Sequence, residues 1–166
     1  AEALRHRPLS GIYSSTSERA EDTAQVIADH HFGLSVTRLK GLKEMYFGDM
    51  EARPNEEFEA GVDIPTAFAD MFAGRSPGFP GGESGQAYVE RVSGAVTSIE
   101  AAHPEGGEVA VVSHGVTINM ILVASGWTSP GPLGNASISI LQIPVGGPRE
   151  IVAVGISRIP DGLLPS

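Results

Sequence analysis

The sequence contains no cysteine, and this absence removes several kinds of chemistry at once. A chain without thiols forms no disulfide, holds no zinc through thiolates and has no cysteine nucleophile. It also lacks a run of the roughly 18 to 20 apolar residues that span a bilayer, so we expect no membrane association. No signal peptide is visible, and the composition favours a cytoplasmic location.

Positive charge is also scarce. The 166 residues include 11 Lys and Arg against 20 Asp and Glu, and no basic run occurs. Nucleic acid is not an expected partner, because binding its backbone needs a concentrated cationic face. An anionic ligand must instead be attracted by a local pocket with a few cations. The length and the 41% hydrophobic content fit one domain, residues 1–166, with a sizeable core.

The order of hydrophobic patterns predicts an α/β fold with a mostly parallel sheet. The predicted strands are residues 11–15, 34–39, 109–113, 137–143 and 150–156. A capping box over Ser15 to Glu18 predicts the start of one helix. Two further helices are predicted over residues 84–102 and 116–124. The last two strands flank a Pro-Gly-rich turn, which predicts an antiparallel hairpin at one edge.

Residues 41–82 form an irregular stretch that is rich in Gly, Pro and acidic side chains. Short helices are predicted within it, around 56–60 and 66–72. Long ordered loops in compact domains are often functional lids. Four apolar residues of this stretch either line a lid or form a small satellite core, and the satellite core is favoured: Phe58, Phe68, Met71 and Phe72.

His114 follows a buried strand directly and precedes a helix. Gly115 would let the backbone turn there, and the helix N-terminus offers unpaired N–H groups to an anion. Because ligands collect at the carboxyl ends of parallel strands, this junction predicts a phosphate site. The alternative is a histidine that serves only the core or helix capping.

Arg19 lies in the first turn of its predicted helix, where the helix dipole disfavours a cation unless an anion is near. It could aim at the same end of the sheet as His114. The alternative is an ordinary surface ion pair with Glu18, Glu21 or Asp22.

Glu44 lies between apolar neighbours at the start of the irregular stretch. A partly buried carboxyl could donate a proton to a leaving group, whereas the alternative is a solvated loop acid. Glu83 is assigned to helix capping rather than to catalysis.

The remaining histidines lie near predicted helix ends, and solvated or capping roles suffice for them: His6, His30, His31 and His103. No pair shows metal-ligand spacing, so no metal is expected.

Four ordered segments resemble the histidine phosphatase superfamily, also called phosphoglycerate mutase-like: residues 12–24 (IYSSTSERAEDTA), 42–51 (LKEMYFGDME), 82–84 (GES) and 111–115 (VVSHG). The resemblance implies a three-layer α/β/α fold and a variable, lid-like insert over residues 48–82. It implies catalysis through a phosphohistidine, without a metal or other cofactor, on a small phosphorylated metabolite. A homodimer is one expected assembly.

The resemblance also implies roles for individual residues. His114 matches the histidine that stabilises the transferring phosphoryl group, Arg19 matches the arginine of the phosphate pocket, and Glu44 matches the proton donor. We assign Arg19, His114 and Gly115 to substrate binding. These roles agree with phosphoryl transfer in general, where positioning and charge stabilisation supply most of the rate.

The nucleophilic histidine of the family, in an Arg-His-Gly motif on the opening strand, has no counterpart here. His6 has arginine where glycine is expected, and it lies too close to the next motif. We therefore expect the first strand and most of the first helix to lie upstream of residue 1. If the chain is complete, it is a non-catalytic phosphate-binding or regulatory relative.

Mutases of this family carry paired arginines in the insert after the acid. Here no basic residue occurs between Arg53 and Arg75, which favours a hydrolase of phosphate monoesters over a phosphoglycerate mutase.

Overall fold

The computed structural model describes residues 1–51, 64–144 and 147–164, with only the backbone given at 64 and 65. Its strands are β1 (Leu9–Ser14), β2 (Val36–Arg38), β3 (Glu108–Val112), β4 (Ile138–Gln142) and β5 (Glu150–Ile156). Its α-helices are α1 (Glu18–Ala28), α2 (Ile64–Phe72), α3 (Gly85–Ala102) and α4 (Gly115–Ala124). None of the described helices is long and apolar enough to cross a membrane.

The central sheet is parallel, with strand order β2-β1-β3. Side chains of a strand alternate between faces, and β1 uses both. Ile12 packs with Ala24 and Ile27 of α1 on one face, whereas Tyr13 packs with Ala95 and Ile99 of α3 on the other. The predicted arrangement of helices on both sides of a mostly parallel sheet is therefore confirmed.

The C-terminal hairpin pairs β4 with β5 in antiparallel orientation, as the sequence predicts. Within the described residues it forms a sheet of its own, and β3 has a strand partner on one side only, β1.

If most of the first helix lies upstream, the first residues of this chain should form its end, but they form no α-helix. They form a single 3-10 turn, Glu2–Leu4. The Arg7 side chain then donates to both carboxylate oxygens of Glu108, at 2.8 Å from Nε to Oε1. This contact attaches the start of the chain to the first residue of β3.

Helix α2 confirms the helix predicted around 66–72, whereas the one predicted around 56–60 lies outside the described residues. Met71 is buried in a cluster with Met45, Tyr88 and Met120, and Phe72 packs against that cluster. The satellite-core interpretation is confirmed for these two residues.

Parallel pairing brings the ends of β1 and β3 together. Ser14 is in register with Val112, and the amide of Ser15 donates to the carbonyl of Val112 at 3.0 Å. Helices α1 and α4 begin just beyond these ends, so their N-termini lie at one edge of the sheet.

Candidate active site

His114 is the residue that precedes α4, and only 5% of its surface is exposed. Its Nε2 lies 2.7 Å from the hydroxyl of Ser15, which follows β1. Its Nδ1 lies 3.0 Å from Nη2 and 3.3 Å from Nε of Arg19. The contact joins the two strand-to-helix junctions, as the sequence predicts, and within the described residues Arg19 makes no ion pair with a carboxylate.

These contacts define the protonation of the imidazole. The Arg19 guanidinium can only donate, so Nδ1 accepts and the ring proton is assigned to Nε2, which donates to Ser15. Burial is the main cause that lowers the pKa of His114, and the charges of Arg19 and Lys43 lower it further, while Glu44 opposes them. A phosphate oxygen that approaches Nδ1 must first displace the Arg19 guanidinium from it.

Glu44 is half-buried beside the start of α4. Its carboxylate accepts hydrogen bonds from the amides of Val116 and Thr117, each at 3.1 Å, from the Thr117 hydroxyl at 3.1 Å and from its own neighbour's amide, Met45, at 3.1 Å. The positive end of the helix dipole adds to this stabilisation of the anion. Glu44 is thus held by four hydrogen bonds, and it shares the α4 N-terminus with His114.

Arg91 of α3 holds the segment that carries Glu44. Its guanidinium donates to the main-chain carbonyls of Gly41 (2.9 Å), Lys43 (2.8 Å) and Glu44 (3.1 Å), and to both carboxylate oxygens of Glu83, at 2.8 Å from Nε. All five donors of the fork are aimed at acceptors of this region. Arg91 therefore sets the position of the backbone on which Glu44 stands.

The assignment of Glu83 to helix capping is wrong. Ser84 caps α3 through its hydroxyl, which accepts from the amide of Ala87 at 3.2 Å. Glu83 instead pairs with Arg91 and accepts from the amide of Tyr46 at 2.9 Å. Capping and ion pairing compete for the same carboxylate, and the partly buried guanidinium is the stronger donor.

The capping box predicted at Ser15 is also wrong. Helix α1 begins after Ser17, which makes no side-chain capping bond. Ser15 is fully buried, and its hydroxyl is occupied by His114 and by the amide of Ser17 at 3.2 Å.

Two buried hydroxyl groups, those of Tyr88 and Thr117, lie next to the Glu44 carboxylate. Tyr88 is fully buried, and its hydroxyl donates to the hydroxyl of Thr117 at 3.2 Å. Burial raises the pKa of Tyr88, so this phenol stays protonated. Thr117 can then direct its own proton to Glu44 or to the carbonyl of Lys43, at 3.1 and 2.9 Å.

An open cleft of about 1080 Å³ is lined by Arg19, Glu44 and Arg91. Its charged lining residues are Glu18, Arg19, Lys40, Lys43, Glu44, Glu51, Glu83 and Arg91. Its apolar wall includes Tyr46, Phe47, Met50 and Phe68.

Gly115 is the first residue of α4, and its φ is not in the left-handed region. The expectation that glycine is needed there for a sharp turn is therefore wrong. A Cβ added at Gly115 would meet no atom within 4 Å, so the space over this helix start is open to a ligand.

The other histidines take no part in the site. His103 was expected to be solvated or capping, yet its Nε2 contacts the Tyr13 hydroxyl at 2.8 Å on the α3 side of the sheet. Across the described residues, no group of three or more His, Cys, Asp or Glu side chains could hold a metal ion.

Several contributors were missed from the sequence: Ser15, Lys40, Lys43, Arg91 and Thr117. Arg91 carried one usable signal, because it lies three residues after Tyr88 and one before Val92, on the flank of the buried face of α3. The other residues could not be predicted, because contacts between elements 50 or more residues apart leave no local pattern in the sequence.

Comparison with known proteins identifies the family. The profile of the histidine phosphatase superfamily (branch 1) matches residues 1–155. A metal-independent phosphoserine phosphatase from Arabidopsis thaliana is 32% identical over 142 residues, and phosphoglycerate mutase-like protein 4 of the same plant is 32% identical over 121 residues. These matches cover 82% and 70% of this chain, but only 57% and 50% of the relatives, so the chain spans about half of their length.

Solved structures agree. A mycobacterial glucosyl-3-phosphoglycerate phosphatase in complex with inorganic phosphate superimposes with a TM-score of 0.75 at 27% identity. The superposition covers 94% of this chain and 81% of that one. The matching profile and relatives, together with the geometry of the site, show that the chain belongs to the histidine phosphatase superfamily.

Proposed function

We propose that this protein is a phosphatase that hydrolyses small phosphate monoesters through a phosphohistidine. The observation that carries the proposal is the contact between Arg19 and His114 at the ends of two adjacent parallel strands. It concentrates cationic and N–H donor groups at two helix N-termini, which is the environment that a phosphoryl group requires. The relatives named as phosphatases support the same activity.

In the proposed reaction, an imidazole nitrogen attacks phosphorus and the ester P–O bond breaks. Glu44, in its protonated form, gives its proton to the leaving oxygen. Water then attacks the phosphohistidine, the P–N bond breaks, and the Glu44 carboxylate takes the water's proton. The four donors around Glu44 stabilise the anion needed for this second step. Arg19 neutralises the non-bridging oxygens, and His114 joins it once Nδ1 takes up a proton in contact with the phosphate.

We propose that the nucleophilic histidine belongs to a segment upstream of residue 1. The unpartnered side of β3 supports this placement, because a parallel strand added there would end beside His114. Such a strand would also lie on the side of the sheet where no other described strand covers the main-chain groups of β3.

Rapid acid quenching of the full-length protein with ³²P-labelled substrate tests the mechanism. We expect an acid-labile, base-stable label on the protein. A label that survives acid, or a requirement for 2,3-bisphosphoglycerate together with transfer instead of hydrolysis, would contradict it and indicate a mutase. Binding of phosphate without turnover would indicate a non-catalytic relative.

The role of His114 is tested separately by His114→Ala in the full-length protein. Loss of one group that stabilises transition-state charge is worth about 100- to 1000-fold in turnover. His30→Ala, at an exposed position at the end of α1, is the matched control and should leave turnover unchanged. Equal turnover in the two variants would remove His114 from the mechanism.

Three further expectations remain predictions from the sequence: a lid over residues 48–82, a cytoplasmic location and a homodimer. Subcellular fractionation of the source cells and analytical ultracentrifugation test the last two directly.

A further inference from the structure

Two lysines stand out among the charged residues of the cleft. Arg91 is neutralised by Glu83, and Arg19 is engaged with His114. Lys40 and Lys43 line the same cleft, yet neither forms an ion pair with a carboxylate in the described part of the chain. The chain has 20 acidic residues and a net charge of −9, so its attraction for an anionic ligand depends on cations of the cleft that no carboxylate neutralises.

The two lysines are held on the same side of the chain. The 3-10 helix Lys40–Leu42 begins with the first of them, and the second follows directly. Three residues make about one turn of a 3-10 helix, so Lys43, which follows the helix, leaves the chain on a similar side to Lys40. Two like charges in this relation repel each other unless an anion lies between them.

The backbone between them is rigidly placed. Arg91 binds the carbonyls of Gly41 and Lys43, and the Ser113 hydroxyl donates to the carbonyl of Leu42 at 2.7 Å. Leu42 is fully buried, and a Cβ added at Gly41 would lie 2.5 Å from the main-chain oxygen of Arg91. The main chain that carries the two lysines is therefore held in place, although both side chains are exposed to the cleft.

The pair also lies close to the phosphoryl site. Lys43 lies between Glu44 and Leu42 in the sequence, and the carbonyl of Leu42 accepts a hydrogen bond from Ser113, the residue before His114. Its positive charge is among the causes that lower the pKa of His114. Since Arg19 lines the same cleft as both lysines, a ligand held by Arg19 can reach them with a second group.

We propose that Lys40 and Lys43 form a second anion subsite, which receives an anionic group on the leaving alcohol while Arg19 and His114 hold the transferring phosphoryl group. The substrate is then a small phosphate monoester that carries a carboxylate or a second phosphate. This assignment rests on the proposed phosphatase function. It also explains how a strongly acidic protein selects a substrate with more than one negative charge.

Matched substrates with the same three-carbon body test the subsite in the full-length protein. The probes are n-propyl phosphate, 3-(phosphonooxy)propanoate and propane-1,3-diol bisphosphate. The double variant Lys40→Gln/Lys43→Gln should reduce kcat/KM about tenfold for the anionic probe that the subsite accepts, from two charge contacts of ordinary strength. Its kcat/KM for propyl phosphate should fall by a smaller factor, because that probe carries no anionic group for the subsite, so the ratio between the anionic and neutral probes should fall.

Arg38→Gln is the matched control, since it removes one nearby positive charge that is already paired with Glu21 at 2.7 Å outside the cleft. It should leave the preference between probes unchanged. Whichever anionic probe loses its advantage in the double variant identifies the group, carboxylate or phosphate, that the subsite takes.

Two results would overturn the subsite while leaving the phosphatase intact. One is an unchanged ratio of anionic to neutral substrate in the double variant, and the other is an equal loss for all three probes. If the full-length protein hydrolyses none of them, the proposed function fails, and calorimetric affinities for the same probes decide the subsite. An affinity advantage of the anionic probes that depends on the lysines would then support it, and its absence would overturn it.

Discussion

Arg91 offers the sharpest test of how the acid-bearing segment is held. Arg91→Ala removes a guanidinium that binds Glu83 and three main-chain carbonyls of residues 41–44. It also removes a cation placed 4.9 Å from the ring centre of Tyr88. The Glu83 carboxylate, whose side chain is only 17% exposed, would be left with the Tyr46 amide as its remaining partner.

The expected cost follows from this burial. Breaking a fully buried ion pair costs about 3 to 5 kcal/mol, because the remaining charge is left without its partner. Since the Arg91 and Glu83 side chains keep 25% and 17% of their exposure, we place the loss at the lower end, about 3 kcal/mol. For a chain of this size, that loss corresponds to a fall in Tm of about 6 to 12 °C.

Urea unfolding of the full-length protein, followed by circular dichroism, measures this loss. Arg75→Ala is the matched control, because Arg75 and Asp70 form a similar pair that is 66% and 47% exposed. Such an exposed pair should cost less than about 1 kcal/mol. Arg91→Lys should fall between the two, since an ammonium keeps the charge but lacks the fork that reaches several acceptors.

The reasoning is refuted if Arg91→Ala destabilises no more than Arg75→Ala. If the alanine variant does not fold, Arg91→Lys and Glu83→Gln carry the test. Each should destabilise on its own, and the double variant should lose less than their sum, because the two residues share one interaction.

Four further predictions concern the phosphate end of the site. Burial lowers the pKa of His114 below its usual 6.5, so near that pH the unfolded chain binds a proton that the folded chain does not. The free energy of unfolding should therefore fall as pH drops through and below 6.5. His114→Asn should remove this dependence. NMR titration of the imidazole should also show the pKa of His114 rise when inorganic phosphate is added; a pKa unmoved by phosphate would speak against contact. Ser15→Ala should destabilise by about 1 to 3 kcal/mol in urea, because Nε2 of His114 loses its partner in a buried place. Gly115→Ala should leave the free energy of unfolding unchanged or raise it by up to about 1 kcal/mol, since the added Cβ meets no atom and alanine favours the helix. The same variant should weaken phosphate binding measured by calorimetry. Undiminished binding would remove Gly115 from the ligand site.

The strength of local patterns explains which elements could be predicted. Helix α3 was predictable because Tyr88, Val92, Ala95 and Ile99 repeat at helical spacing and Ser84 supplies a cap. The start of α1 was not, because Ser15 satisfies a capping pattern in sequence but spends its hydroxyl on a histidine 99 residues away.

The same division applies to the site. The sequence by itself determined that Arg19 and His114 stand at strand-to-helix junctions, since both the periodicity and the breaks are local, and the ordered motifs pointed to the family. Only the tertiary structure decided that these junctions are neighbours, because the register of β1 with β3 depends on packing across the whole sheet. It also decided that Arg91, rather than any residue of the loop, holds Glu44 in place. A guanidinium finds acceptors by distance in space, and no local spacing in the sequence encodes that distance.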